Sequence, residues 1–301
     1  APDVMITIDS PDFCLRVARL VKASSTIRTV HYVAPTVWAW RPKRADHMAE
    51  VIDHVLALFP FEPPYMQAAG MDCDFVGHPV VSEPQPSVQD VVNFRVQYGM
   101  EAADPLLLVL PGSRRGEVSR LAPRLGEALR PVLAAHPGLR VVVPAAAPVA
   151  EMVIAAVADW PLVPKVLDPR GLDVDTAANA KRVAFAAADA ALAASGTVAL
   201  ELAAADTPMV SIYDMNWLSR RIVQRMMQID TTNLINIVSE TRTVPEFIGV
   251  QCRSDLIARG VLDLLQDPEP QRAAMRTTMD LLGRNGEDPG LRAARAVLAR
   301  L

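Results

Sequence analysis

The stretch LLLVLPGSRRGEV, residues 106–118, decides the fold. It opens with five consecutive apolar residues, a run typical of a strand buried on both faces of a parallel sheet. The strand runs into Pro111-Gly112-Ser113, where Gly112 permits a tight turn and close approach of the backbone to a ligand. The helix predicted to follow presents free N–H groups, and Arg114 and Arg115 add positive charge. The stretch therefore predicts a phosphate or diphosphate site; the alternative is an ordinary strand–helix turn with two solvated arginines.

A second stretch, LAASGTVALE at residues 192–201, repeats this strand–turn–helix pattern. Its turn is Ser195-Gly196-Thr197, and the helix that follows carries Glu201 one turn inside. Ser195 or Thr197 can cap the helix, whose N-terminus can hold a second phosphate edge, and Glu201 can accept hydrogen bonds from ribose hydroxyls. Taken alone, the stretch is better explained as a capped helix with a surface glutamate. In the same predicted sheet as the first stretch, it favours a nucleotide site.

Strand and helix patterns alternate around both stretches and predict parallel sheets with helices on both faces. Residues 79–90 hold three prolines and no strong apolar period, so we interpret them as a linker. We expect an incomplete first domain over residues 1–83, a second domain over 84–269, and terminal helices over 270–301 that pack on the first domain or on a partner. Both domains are predicted to be α/β, Rossmann-like and doubly wound, with a ligand bound in the cleft beyond the carboxyl ends of their strands.

The composition excludes several classes of protein. With 51% hydrophobic residues, 21% charged residues and a net charge of −4, the chain is globular and lacks the bulk basicity of a nucleic-acid binder. Its three cysteines are widely spaced and form no CxxC, which fits a reducing compartment and argues against a zinc site. We find no signal peptide and no apolar run near the ~18 residues of a membrane span. We therefore expect a cytoplasmic protein that binds neither a metal nor nucleic acid.

Two acids in TIDSPDF, residues 7–13, are candidates for a catalytic base. Asp9 ends a predicted strand, where a carboxylate can face a cleft and remove a proton from a hydroxyl. Asp12 has a good structural explanation, because an acid in the first turn of a helix complements the helix dipole. We therefore prefer Asp9 as the base.

The segment HYVAPTVWAWRPKRADHM, residues 31–48, combines aromatic and basic residues. Such a combination suits a bilayer surface or an anionic amphiphile. A structural turn with solvated charges explains it equally well, and the sequence does not decide between the two. The residues concerned are Trp38, Trp40, Arg41, Lys43 and Arg44.

Taken together, these segments resemble the lipid-A-disaccharide synthases of bacteria. VWAWR and LPGSR together are quite specific to that family, whereas ASGTxALE alone is shared with other two-domain glycosyltransferases. The resemblance extends in order over nearly the whole chain. The motifs are IDSPDF (8–13), HYVAPTVWAWRPKR (31–44), LALFPFEPPYM (56–66), FVGHP (75–79), LPGSRRGEV (110–118), ASGTVALE (194–201) and TNLINIVSETRTVPEF (232–247).

The resemblance implies a GT-B fold and an inverting transfer that needs neither metal nor cofactor. The implied donor is UDP-2,3-diacylglucosamine and the implied acceptor is 2,3-diacylglucosamine 1-phosphate, lipid X. The products would be the β-1,6-linked lipid A disaccharide 1-phosphate and UDP. It also implies a Gram-negative source, a peripheral position on the inner membrane, and the possibility of a homodimer.

The resemblance further assigns individual residues. Asp9 matches the family's essential aspartate, Arg114 matches an arginine needed for activity, and Asn236 matches an asparagine beside the donor. Ser195, Gly196, Thr197 and Glu201 match its nucleotide loop. The family also begins with a strand and a Gly/Ser-rich loop that this sequence lacks, so we expect an N-terminal truncation and an inactive fragment. Where the family often has an arginine five residues after the asparagine, this chain has Thr241, followed by Arg242.

Three other functions fit parts of the pattern. A peptidoglycan-type transferase or a 2-epimerase would use UDP-GlcNAc on the same fold, although the aromatic–basic segment favours the lipid A branch. The third is a non-catalytic module that binds a nucleotide or a membrane surface. Turnover of a UDP-sugar, as opposed to binding alone, discriminates the enzymes from this module.

Overall fold

The computed structural model describes residues 2–215 and 229–301, which divide into two compact units. Residues up to Glu83 and from Met279 onward belong to the first unit, and residues 84–215 and 231–278 belong to the second. The α/β class with two parallel sheets, predicted from the alternating pattern, is confirmed.

The first unit is built on a four-stranded parallel sheet in the sequential order β1-β2-β3-β4. Its core lies between the sheet and the helices that connect the strands, around the buried Met48, Val55 and Met66. The elements of the main segment are β1 Val4–Ile8, α1 Pro11–Ser24, β2 Arg28–Tyr32, α2 Arg44–Ala49, β3 His54–Ala57, α3 Pro63–Ala68 and β4 Asp72–Phe75.

The second unit contains a six-stranded parallel sheet in the order β10-β9-β8-β5-β6-β7. Its first half comprises α4 Val88–Gln97, β5 Leu106–Leu110, α5 Arg115–Ala135, β6 Arg140–Pro144, α6 Ala150–Val157 and β7 Lys165–Leu167. Its second half comprises α7 Val174–Ala187, β8 Ala190–Ala194, α8 Val198–Ala204, β9 Met209–Tyr213, α9 Leu234–Val238, β10 Glu246–Ile248, α10 Ser254–Gln266 and α11 Glu269–Leu281.

The order of this second sheet reverses at β5. This strand pairs with β6 on one side and with β8 on the other, and its register with β8 runs from Leu107↔Ala190 to Leu110↔Ala193. Every residue of both strands is buried, as the apolar run at 106–110 predicts. Because the strands are parallel and in register, the loops that follow Leu110 and Ala194 leave the sheet side by side. A reversal of strand order at this edge is where doubly wound sheets bind ligands.

The predicted linker is shorter than the sequence indicates. Ser87 and Asp90 form a capping box, in which the Ser87 hydroxyl accepts from the Asp90 N–H and the Asp90 carboxylate accepts from the Ser87 N–H. This cap starts helix α4 at Val88, inside the predicted 79–90. The helical spacing of Val88, Val92 and Val96 was a readable signal that we missed, and the face that they form is exposed.

The C-terminal helices divide between the units within α11, and not at the predicted residue 270. Gln271 explains this difference, because its amide bonds the backbone of β9: its Oε1 accepts from Met209 N at 2.8 Å and its Nε2 donates to Met209 O at 2.9 Å. The last helix, α12 Pro289–Leu298, lies in the first unit, where Arg292 donates to Phe75 O at 2.8 Å and its guanidinium covers the Phe75 ring.

Candidate functional site

A pocket of about 640 Å³ opens at the carboxyl ends of β5 and β8, within the second unit. This volume lies within the range of about 300–1,000 Å³ that small-molecule sites occupy. Seven of the residues predicted to bind the donor line it together: Gly112, Ser113, Arg114, Ser195, Gly196, Thr197 and Glu201. The pairing of β5 with β8 brings the two predicted loops to one place.

Glu117 holds the first loop. Its Oε2 accepts from the backbone N–H of Ser113 at 3.0 Å and of Arg114 at 3.3 Å, and its Oε1 accepts from the Arg114 guanidinium at 2.7 Å. Gly112 makes this possible: its φ is +110°, and a Cβ there would meet Glu117 Cβ and Oε2 at 2.6 Å. The close approach that we predicted between Gly112 and a ligand is thus made by a side chain of the protein. Glu117 also raises the pKa of Arg114.

Other donors at the start of α5 stay open. The backbone N–H groups of Arg115 and Gly116 have no acceptor among residues 2–215 and 229–301. They retain the partial positive charge of a 21-residue helix, as the sequence predicts. Arg115 itself does not line the pocket, so its predicted contact with the donor stays a prediction.

The second loop presents a run of unpaired amides. Ser195 N donates to Ile212 O at 2.8 Å, which anchors the turn to β9, whereas the N–H groups of Gly196, Thr197 and Val198 find no acceptor in the described part of the chain. Thr197 occupies the N-cap position of α8 without a side-chain hydrogen bond, so the expectation that it caps the helix is wrong. A Cβ added to Gly196 would meet nothing within 4 Å, which leaves open space above these amides.

Two further charged residues, which the sequence did not single out, line the pocket. Lys181, on α7, lies with its Nζ 2.5 Å from Glu201 Oε2. Asp168 follows β7 and is held by Arg170, whose guanidinium donates to both carboxylate oxygens at 2.6–3.0 Å. Neither lies in a recognisable motif. Glu117 is the third residue of α5, where a glutamate often accepts from the N–H of the N-cap residue, and this was a readable signal that we missed.

The opposite wall of the pocket is apolar. It can pack against a flat heterocyclic base, whereas the amides and cations on the other side suit phosphates. The two kinds of surface face one cavity, as a nucleotide requires. The apolar wall is formed by Pro144, Ala145, Ala146, Ala147, Leu167, Pro169 and Leu172.

Asn236 is not among the residues that line this pocket. It is buried on α9, where its Nδ2 donates to Val244 O at 2.9 Å and its Oδ1 accepts from Val244 N at 3.0 Å. Nδ2 also donates to Thr231 Oγ1 at 3.2 Å. The side chain therefore ties together the segment that leads into β10, and its predicted contact with the donor stays a prediction.

Asp9 lies in the first unit, directly after β1. It and Ser10 adopt left-handed backbone conformations, with φ of 49° and 43°, and the Asp9 N–H donates to Tyr32 O at 3.0 Å. Two adjacent non-glycine residues in this region are costly, and such turns concentrate at functional sites. His31 lies beneath this turn, bonded to Thr7 Oγ1 at 2.7 Å. Burial lowers the pKa of His31 to about 4, and the negative charge of Asp9 opposes this shift, so the imidazole is neutral near pH 7.

Only part of the aromatic–basic segment is exposed at the protein surface. Trp38 is buried, donates to Glu62 Oε1 at 3.3 Å and packs edge-on against Phe61, so its predicted place on a membrane-binding surface is wrong. Trp40 is half-buried and carries the Arg41 guanidinium 4.4 Å above its ring. Arg41 and Lys43 are exposed, and Arg44 pairs with Asp12. In the described residues, no helix has the length and apolar character needed to span a membrane.

Solved structures share this fold. UDP-GlcNAc 2-epimerase from Neisseria meningitidis, bound to UDP-GlcNAc, matches with a TM-score of 0.66 and 11% identity, over 99% of this chain and 77% of that one. ADP-heptose lps heptosyltransferase II from E. coli matches with a TM-score of 0.51 and 13% identity, over 89% and 77%. These likenesses define the class of fold, that of GT-B glycosyltransferases and epimerases.

Sequence comparison identifies the family within this class. The family described as Lipid-A-disaccharide synthetase matches residues 1–296. Lipid-A-disaccharide synthase from Ruegeria pomeroyi is 64% identical over 300 residues, which cover 100% of this chain and 75% of that protein. The chain belongs to the lipid-A-disaccharide synthetase family and is a hexosyltransferase of lipid A biosynthesis. The family resemblance predicted from the sequence motifs is confirmed.

Proposed function

We propose that this protein transfers 2,3-diacylglucosamine from UDP-2,3-diacylglucosamine to lipid X, which yields the β-1,6-linked lipid A disaccharide 1-phosphate and UDP. The observation that supports this most directly is the pocket at the reversal of the second sheet. There the amides of Gly196–Val198, the Arg114 guanidinium and an apolar wall line one cavity. This combination suits a nucleoside diphosphate, and the family supplies the sugar and the acceptor.

The donor would place its uracil against the apolar wall around Ala145–Ala147 and its diphosphate against the loops that follow β5 and β8. Glu201 would accept hydrogen bonds from the ribose hydroxyls. Ser113 and Ser195 line the same cavity and can donate their hydroxyl protons to phosphate oxygens.

Asp9 would act as the general base. It removes the proton of the acceptor 6-hydroxyl, whose oxygen attacks the anomeric carbon on the face opposite to UDP, so the configuration inverts. The bond from the anomeric carbon to the diphosphate oxygen breaks, and UDP leaves with the electron pair. The strained turn at residues 9–10 supports this role, because it aims an exposed carboxylate from the end of a strand.

Arg114 would neutralise the charge that develops on the departing diphosphate. Its guanidinium is 79% exposed and is oriented by Glu117, so it is available to a ligand without being buried first. A fixed cation and preorganised amides stabilise such a leaving group and can supply what a metal ion supplies in other transferases.

We also infer that the protein binds the inner-membrane surface through Trp40, Arg41 and Lys43, because both of its substrates carry acyl chains. Exposed cations beside an amphipathic ring suit anionic headgroups. Sedimentation with phosphatidylglycerol vesicles tests this part, and Lys43→Glu is expected to reduce the bound fraction. Equal binding of this variant and the wild type would exclude the surface.

The reaction is tested in the full gene product by measuring UDP release from UDP-2,3-diacylglucosamine, with and without lipid X. We expect release to require lipid X, and Asp9→Asn to lower kcat by roughly 10²–10⁴-fold, the usual contribution of a general base. UDP affinity should be unchanged in this variant. Asp3→Asn is the matched control, since Asp3 is an exposed acid at the start of the same segment.

Two results would overturn the proposal. Release of UDP without lipid X, or equal use of UDP-GlcNAc, would indicate another reaction on the same fold. Full activity of Asp9→Asn would remove Asp9 as the base while leaving the donor and acceptor assignments standing.

A further inference from the structure

The charges that line the donor pocket do not by themselves favour a diphosphate. Among the residues that the structure describes, its charged lining consists of three carboxylates, on Glu117, Asp168 and Glu201, and two cations, Arg114 and Lys181. Both cations are already engaged by a carboxylate of the pocket, Arg114 by Glu117 and Lys181 by Glu201. The open amides of the two loops can hold a dianionic ligand, and the cations add their full attraction when they turn toward it.

Lys181 is well placed to do so. It projects from α7, a helix that carries none of the predicted donor-binding residues, and its Nζ lies 2.5 Å from Glu201 Oε2. Side chains on a helix lean toward its N-terminus, so the Glu201 carboxylate lies toward the loop where the amides of Gly196–Val198 are open. The ammonium is therefore held on the same side of the pocket as these amides.

The Lys181 side chain is also free to move. It is 40% exposed, and its ammonium pairs with Glu201 and lies 5.3 Å from the centre of the Phe185 ring. A lysine ammonium on a flexible stem can redirect its three protons at little cost.

We infer that Lys181 binds the diphosphate of the donor, and that the Lys181–Glu201 pair is the unliganded state of two donor-binding side chains. In the bound state the ammonium turns from Glu201 to the phosphate oxygens, and the Glu201 carboxylate is released to accept from the ribose hydroxyls. Lys181 exchanges a carboxylate for phosphate oxygens, and Glu201 exchanges the ammonium for hydroxyl donors, so neither group is left without a hydrogen-bond partner in the pocket. This inference rests on the proposed function, because it takes UDP as the ligand.

The test compares ligands with and without phosphates in the full gene product. UDP affinity is measured by calorimetry and uridine affinity by ligand-detected NMR. We expect Lys181→Met to weaken UDP binding by roughly tenfold or more, since it removes a charge-assisted hydrogen bond, and to leave uridine binding unchanged. Lys181→Arg should keep UDP affinity within about threefold, because it retains the cation. Lys165→Met is the matched control: Lys165 lies on β7 over the Tyr98 ring, outside the pocket.

Unchanged UDP affinity of Lys181→Met would overturn the inference. So would an equal loss for UDP and uridine, because that would mean that Lys181 only holds α7 against α8. These results differ from a failure of the proposed function, which appears in the wild type itself as UDP release without lipid X or as equal use of UDP-GlcNAc.

Discussion

Substitution of Gly112 by alanine tests whether the loop after β5 is held in its binding conformation by Glu117. The φ of Gly112 is +110°, a region that residues with a Cβ rarely adopt. The new methyl would also lie 2.6 Å from both Cβ and Oε2 of Glu117. Alanine at this position is therefore opposed by the backbone and by a side chain.

The size of the effect follows from these two contributions. Backbone strain of this kind costs about 1–3 kcal/mol, and forced overlap in a packed site costs about 1–3 kcal/mol more. The loss of unfolded-state entropy returns about 0.4–1 kcal/mol. The present loop conformation is thus disfavoured by roughly 1–5 kcal/mol. We expect the loop to relax by expelling Glu117, which removes the side chain that orients Arg114 and holds the Ser113 and Arg114 amides, and this lowers UDP affinity by at least about tenfold.

The measurements are urea denaturation for stability and calorimetric titration for UDP affinity. Gly138→Ala is the matched control, because Gly138 has no positive φ and a Cβ there would meet nothing within 4 Å. Adding Glu117→Ala to Gly112→Ala should recover only part of the stability, because it removes the overlap with Oε2 but keeps the Cβ of residue 117, which also lies 2.6 Å from the new methyl. Wild-type stability and UDP affinity in Gly112→Ala would refute this account of the loop.

Three further predictions concern stability. Burial raises the pKa of Glu62 to about 7, so the folded protein holds a proton that the unfolded chain releases. The free energy of unfolding of the wild type should therefore fall by up to about 3 kcal/mol as pH rises from 4.5 through 7. Urea titrations across that range should show this loss for the wild type and not for Glu62→Gln. Gly126→Ala should destabilise the protein by about 1–3 kcal/mol although alanine has the better helix propensity, because the new Cβ would lie 2.5 Å from Trp160 Cδ1. A melting temperature equal to that of Gly138→Ala would contradict this. Asn236→Ala should lower the free energy of unfolding by about 1–3 kcal/mol in urea titrations, because it leaves the Val244 backbone groups unpaired. A loss of UDP affinity without a loss of stability would contradict this structural role and place Asn236 at the donor.

Local patterns in the sequence were enough for the class of fold and for the two loops of the pocket. Five apolar residues before Pro111-Gly112 fit a buried strand, and the alanine-rich run before Ser195 fits one because strand and helix patterns alternate around it. A glycine-containing turn between such a strand and a helix exposes backbone amides whatever surrounds it. These features depend on neighbours along the chain, so periodicity and turn chemistry reveal them.

The order of the strands and the partners of the charged side chains cannot be predicted from local patterns in the sequence. The residues of 106–118 and 192–201 do not indicate that β5 and β8 are adjacent. This pairing is nevertheless what brings the two loops to one pocket. The pairing of Lys181 with Glu201 joins two helices, and the inward turn of Trp38 toward Glu62 depends on a loop that follows another strand. Each of these contacts joins segments that are far apart in the chain, so it exists only once the sheet has brought them together. The sequence by itself determined which residues could serve a nucleotide site, and the tertiary structure decided which of them meet.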